Sequence, residues 1–259
     1  MSADEMNGSP PPSYQDVVDE KASDRIPPSL LSVDGQTITT QHHEGVSPTA
    51  AYRLNRGIAT LSHATSEVTF ERVVKAHGQA TEKAPDRTRH IYNLRYIHKA
   101  PGGLEGVPSD SPHYYVESVS SKTGLGSLGM KKSTLRKHWK ALPLDLSGKT
   151  SSYKLPQFVK DADAVFTLSL QGDQFVWADA RGNVVAEEIP QEDGSASKLQ
   201  VKSSLQRDSF EMLVALWCCH VWQQSAEGQP RVQTRLESVR HKLSLSKDLP
   251  SRGNQFMRF

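Results

Sequence analysis

Pro11-Pro12-Ser13-Tyr14 is the stretch of this 259-residue chain whose residue types and spacing define a recognition chemistry most directly. Successive prolines hold φ at about −65° and set the segment in polyproline II, a form already ordered before binding. An aromatic groove can therefore take it at small entropic cost. Tyr14, two residues after Pro12, adds a flat amphipathic ring. Asp16 and Glu20 follow and supply negative charge that steers the segment towards a basic surface.

A second constellation is basic. Lys131, Lys132, Arg136 and Lys137, with Lys140 close behind, surround His138 and Trp139. Clustered cations of this kind can hold phosphoryl groups or anionic lipid headgroups. The same run also suits a solvated sheet edge, where lysines discourage strand-to-strand association.

Just upstream, Gly124-Leu125-Gly126-Ser127-Leu128-Gly129 is a literal G-x-G-x-x-G. A dinucleotide site needs that motif after a buried strand and at the start of a helix. Here the preceding segment is amphipathic and no βαβ rhythm surrounds it, so the glycines read as a turn or bend in a curved sheet. Cys218 and Cys219 are the only cysteines and are adjacent, which excludes a disulfide framework and a C-x-x-C metal pair. They read as buried packing, and His220 beside them as a core or rim histidine. The ten histidines have no H-E-x-x-H spacing, and no G-x-S-x-G elbow or P-loop occurs. No cofactor, metal or catalytic residue is assigned, and the chain is expected not to be an enzyme.

The elements that would carry these residues fall into three regions. Residues 1–48 are rich in Ser, Pro, Asp and Gln and read as a disordered acidic arm. Within 1–40, seven acids face only Lys21 and Arg25, a net of −5, so +7 resides in the rest of a chain whose total is +2. That surplus suits acidic partners, although solubility alone can account for it. Nucleic acid is a poor fit, because the pI of 8.4 is mild and tyrosines do not alternate with basic residues.

Residues 49–226 carry short alternating runs: Val68 to Val73, His90 to His98, His113 to Val119, Ala164 to Leu170, Phe175 to Trp177 and Leu199 to Val201. Turn residues such as Gly172-Asp173 separate them. The class expected is mainly β and antiparallel. One segment differs: 208–224 lacks Gly and Pro, is apolar on nearly every face, and predicts an enclosed helix capped by Asp208 or Ser209. Residues 227–259 form a basic tail in which Val232, Leu236, Val239 and Leu243 have helical spacing, suited to a short amphipathic helix. The start lacks a signal peptide's basic and apolar regions, and no apolar run reaches the roughly 20 residues of a membrane span. A cytoplasmic protein, peripheral at membranes, is expected.

Two resemblances add to this. The tetrapeptide resembles the PPxY ligand of WW domains, typically those of HECT-type ubiquitin ligases, and implies Pro11, Pro12 and Tyr14 as contact residues. Strands curled around one apolar C-terminal helix, with the hairpin FVWADARGNVVAEE, resemble the tubby C-terminal barrel and its LURP-one and scramblase relatives. That resemblance implies a closed antiparallel barrel over roughly 50–225 and a binding or membrane-linked role, including phosphoinositide contact at Lys131, Lys132, Arg136 and Lys137. The tail beyond 226 departs from the pattern. The expected function is an adaptor, whose arm recruits a WW-domain ligase and whose barrel meets membrane or cargo. The alternative is a lipid-binding barrel with a passive arm.

Overall fold

The computed structural model describes residues 24–42, 45, 47–74, 87–97, 111–120, 124–133, 137–148, 155–191 and 198–228. Pro11, Pro12, Tyr14, Arg136 and the tail from 229 onwards lie outside the described residues. In chain order the strands are β1 (Arg25–Ile26), β2 (Ser29–Asp34), β3 (Thr37–Gln41), β4 (Thr49–Leu54), β5 (Glu67–Val74), β6 (Arg87–Tyr96) and β7 (Tyr114–Ser118). They continue with β8 (Leu128–Lys132), β9 (His138–Asp145), β10 (Gln157–Phe158), β11 (Phe166–Gln171), β12 (Gln174–Asp179), β13 (Val184–Ile189), β14 (Lys198–Val201) and β15 (Leu205–Gln206). Among the described residues a 3-10 turn spans Ile58–Thr60, and one helix, α1, spans Arg207–Gly228.

Twelve strands form one closed antiparallel ring in the order β9-β11-β12-β13-β14-β2-β3-β4-β5-β6-β7-β8, and β8 pairs back onto β9 to seal it. Closure leaves no exposed edge in the ring itself. β10 pairs with the far end of β9, and β1 pairs with β15 as a separate two-stranded ribbon. Strand alternation explains the ring's inner face. On β5, Val68 and Phe70 are fully buried while Thr69 and Glu71 between them are not. Tight turns join neighbours: β11 pairs β12 through Gly172-Asp173, where Gly172 has φ +61°. Glycine adopts that left-handed conformation without steric cost.

α1 occupies the lumen. Every residue from Phe210 to Gln223 is buried, and Met212 to Cys219 and Trp222 are wholly enclosed. They join Leu31, Ile38, Phe70, Leu94, Leu168 and Trp177 of the wall in one hydrophobic core. The mainly β, closed antiparallel barrel around one C-terminal helix is thus the architecture the sequence predicts. No helix among the described residues is long and apolar enough to cross a membrane.

Three boundaries differ from expectation. The folded body does not begin at 49: β2 and β3 lie within the region read as a disordered arm, and Leu31 and Ile38 are core residues. β2 fills the place between β14 and β3 that closes the ring, so the barrel needs it. The helix runs over 207–228 instead of 208–224. Its start is tied to two neighbouring segments. Arg207 N–H donates to Asp24 O (3.0 Å), the Arg207 guanidinium pairs with the Asp24 carboxylate, and Asp208 Oδ2 accepts from Gly124 N–H (3.2 Å).

Candidate functional site

The basic cluster is carried by the β8–β9 ladder. Lys131 stands directly opposite Lys140, and Lys132 opposite Trp139. Met130 and Ala141, one step along, are buried, which places Lys131 and Lys140 on the outer side of the wall. Successive residues of a strand face opposite ways, so Lys131 and Lys132 do not share one surface. Lys131 Nζ lies 5.4 Å from the centroid of the Phe158 ring, and Lys132 Nζ 5.3 Å from that of Trp139, both within cation–π range. Lys137 lines a shallow open depression with His138, Ser169 and Leu170. The structure therefore joins Lys131 with Lys140, turns Lys132 to the other face and sets Lys137 at the rim.

The G-x-G-x-x-G segment leads into strand β8, not into a helix. Gly124 N–H is taken by Asp208, and Gly126 has φ +63°. At Gly129 a Cβ would lie 2.9 Å from Pro112 Cβ and 3.0 Å from both Leu144 and Phe158 side chains. These glycines serve a turn and a close packing contact, as their placement in a curved sheet predicts.

Polar chemistry is concentrated inside the barrel. Glu188 of β13 is buried, with Trp177 Nε1–H donating to its Oε1 at 3.0 Å and His220 Nδ1–H at 2.9 Å. The imidazole lies between Trp139 and Phe175, whose centroids are 5.2 and 4.6 Å away in edge-on geometry. With Nδ1 as donor, His220 Nε2 is free to accept from Gln224 Nε2, 3.4 Å away. Near the start of α1 a second buried carboxylate, Glu211, accepts from Arg72 at 2.8 Å. Burial pushes the Glu211 carboxyl above its usual range, against the pull of Arg72 and Arg207. Burial likewise raises the Tyr52 and Tyr92 hydroxyls, with Glu211 adding to both.

Sequence reasoning leaves His220 as a core or rim histidine, and the structure puts it in the core; its partner is missed. The signal was available: Ala186 faces inwards, and strict alternation then turns Glu188 inwards as well. Cys218 and Cys219 are enclosed, and burial raises both thiols, which keeps them from the thiolate form that nucleophilic chemistry requires. Cys219 Sγ lies 3.9 Å from Tyr115 O. Among the described residues no group of three His, Cys, Asp or Glu side chains is placed to hold a metal ion. The chain matches no protein-family model, no curated protein and no solved structure.

Proposed function

We propose that this chain is a non-enzymatic adaptor, in which Pro11, Pro12 and Tyr14 recruit a WW-domain partner of the HECT-type ubiquitin-ligase kind. The observation that carries the reading is the tetrapeptide itself, set ahead of a self-contained barrel. Tyr14 lies ten residues before Asp24, a distance that spans at most about 36 Å of extended chain. The barrel, tubby-like in architecture, supplies the contact to membrane or cargo, in the cytoplasm and peripheral at membranes. Its lumen is filled by α1, so the outer wall and the two poles are the surfaces on offer. Tyr14→Ala should abolish recovery of the WW partner from cells while membrane association persists; unchanged recovery would overturn the adaptor reading.

One observation favours a second reading, an anionic lipid headgroup on the outer wall. Lys131 and Lys140 are directly opposed across two strands on the outer side of the wall, which sets two cationic side chains next to each other. Here the test is co-sedimentation with vesicles containing phosphoinositide. Lys131→Glu with Lys140→Glu should release the protein, and retention would remove the outer wall as the site.

A further inference from the structure

A helix apolar on every face has no stripe that fixes its rotation inside a ring of apolar walls. Most side chains of α1 from Phe210 to Trp222 are of this kind. Leu213, Val214, Leu216 and Val221 could be accommodated by several rotations, because apolar contacts of similar volume exchange at small cost. Only a few buried side chains of α1 are polar, among them Glu211 and His220.

We propose that two polar pairs, the half-buried Arg72 with buried Glu211 and the fully buried Glu188 with His220, key the rotation and depth of α1 within the barrel. Glu211 and His220 are nine positions apart. At about 100° and 1.5 Å per residue that is two and a half turns, so they leave opposite faces of the helix roughly 14 Å apart along its axis. Their partners match. Arg72 lies on β5 and Glu188 on β13, and in the twelve-strand ring four strands separate these one way and six the other. The two pairs thus tie opposite sides of α1 to nearly opposite walls at two levels.

A seating shifted by one residue rotates α1 by about 100°. It would strip Glu188 of His220 and Glu211 of Arg72. A buried charge without its partner is strongly disfavoured, whereas an intact buried pair adds little over apolar residues of equal volume. That asymmetry makes the pairs effective against wrong seatings while contributing little to the right one. The polar contacts act together: no single-residue shift satisfies one pair and keeps the other.

The four tryptophans, Trp139, Trp177, Trp217 and Trp222, lie on the wall and on α1, and their indole N–H resonances report the seating in the full-length chain. The native protein should give four. Replacing one pair, Glu188→Met with His220→Leu, should still give four, because Arg72–Glu211 continues to key the helix. Adding Arg72→Met and Glu211→Met should give more than four resonances, or exchange-broadened ones, with helical circular dichroism retained. Four sharp resonances from that fourfold variant would overturn the proposal. If the fourfold variant does not fold, His220→Glu and the swap Glu188→His with His220→Glu decide the matter. Unlike removal of the pair, the single change sets two carboxylates against each other in the native seating, so it opposes the Arg72–Glu211 key and should multiply the resonances, and the swap should return them to four; a swap that fails to do so counts against keying.

Discussion

His220 Nδ1 lies 2.9 Å from Oε1 and 3.1 Å from Oε2 of Glu188, and neither side chain is more than 2% exposed. One comes from the helix and the other from β13, so the contact fastens the lumen to the wall. Removing His220 takes from the buried Glu188 carboxylate one of the groups that hold it. His220→Ala should therefore lower stability by about 3–5 kcal/mol in urea denaturation. Glu188→Leu with His220→Leu should lose less than His220→Ala alone. A double variant weaker than the single one would mean that the pair is a net source of stability.

Trp217 is wholly enclosed on α1. Truncation to alanine leaves a cavity that the surrounding ring cannot collapse to fill. Trp217→Ala should destabilise by about 3–5 kcal/mol. A loss under about 1 kcal/mol would place the ring at the surface and contradict the enclosed helix.

Gly129 tests the packing between β8 and the residues that cover it. An added methyl group meets Pro112 Cβ at 2.9 Å, and a proline ring has little freedom to withdraw. Gly129→Ala should cost about 1–3 kcal/mol through overpacking. Gly126→Ala, strained by φ +63° but with open space around it, should be destabilising for a backbone reason instead. Combining Gly129→Ala with Phe158→Ala should recover part of the loss; no recovery would locate the clash elsewhere.

Glu211 gives the fold a pH dependence of defined sign. Its carboxyl is raised in the folded state, chiefly by burial, so the native protein binds the proton more tightly than the unfolded chain. The resulting contribution is fully present below the ordinary carboxylate pKa and is lost as pH rises through the raised value. Denaturation of the native protein and Glu211→Gln at pH 7 and pH 4.5 isolates it. The native protein should gain stability relative to the variant on acidification. A relative loss would show that attraction to Arg72 outweighs burial.

Much of the barrel was legible because a half-buried strand writes its period directly into the chain, as Val68 and Phe70 do on β5. The helix was legible for the opposite reason, an unbroken apolar run with no polar face. β2 and β3 were not. Each presents few large apolar side chains inwards, Leu31 and Ile38 among Ser and Thr, beside Pro27-Pro28, so the local composition resembles a linker. β2 is covered on one side by β14, a strand distant in sequence that a local window cannot weigh. Asp34-Gly35 between them was a usable turn signal, with Gly35 at φ +55°.

The basic residues were visible as a cluster, but the sequence does not state on which face each falls. Alternation from Met130 would have separated Lys131 from Lys132. Pairing of Lys131 with Lys140 depends on the β8–β9 register, held where Ser133 N–H donates to His138 O. Glu188 escaped notice because a carboxylate beside Glu187 looks like a solvated charge until its inward partner is known.

Recruitment through Pro11, Pro12 and Tyr14 is the central claim, and calorimetric titration of the full-length chain against a panel of WW domains tests it most directly. The account predicts binding of at least one domain with micromolar affinity, lost on Tyr14→Ala, while thermal unfolding of the barrel is unchanged by the substitution. Absence of binding by every domain, or binding that Tyr14→Ala leaves intact, would contradict it.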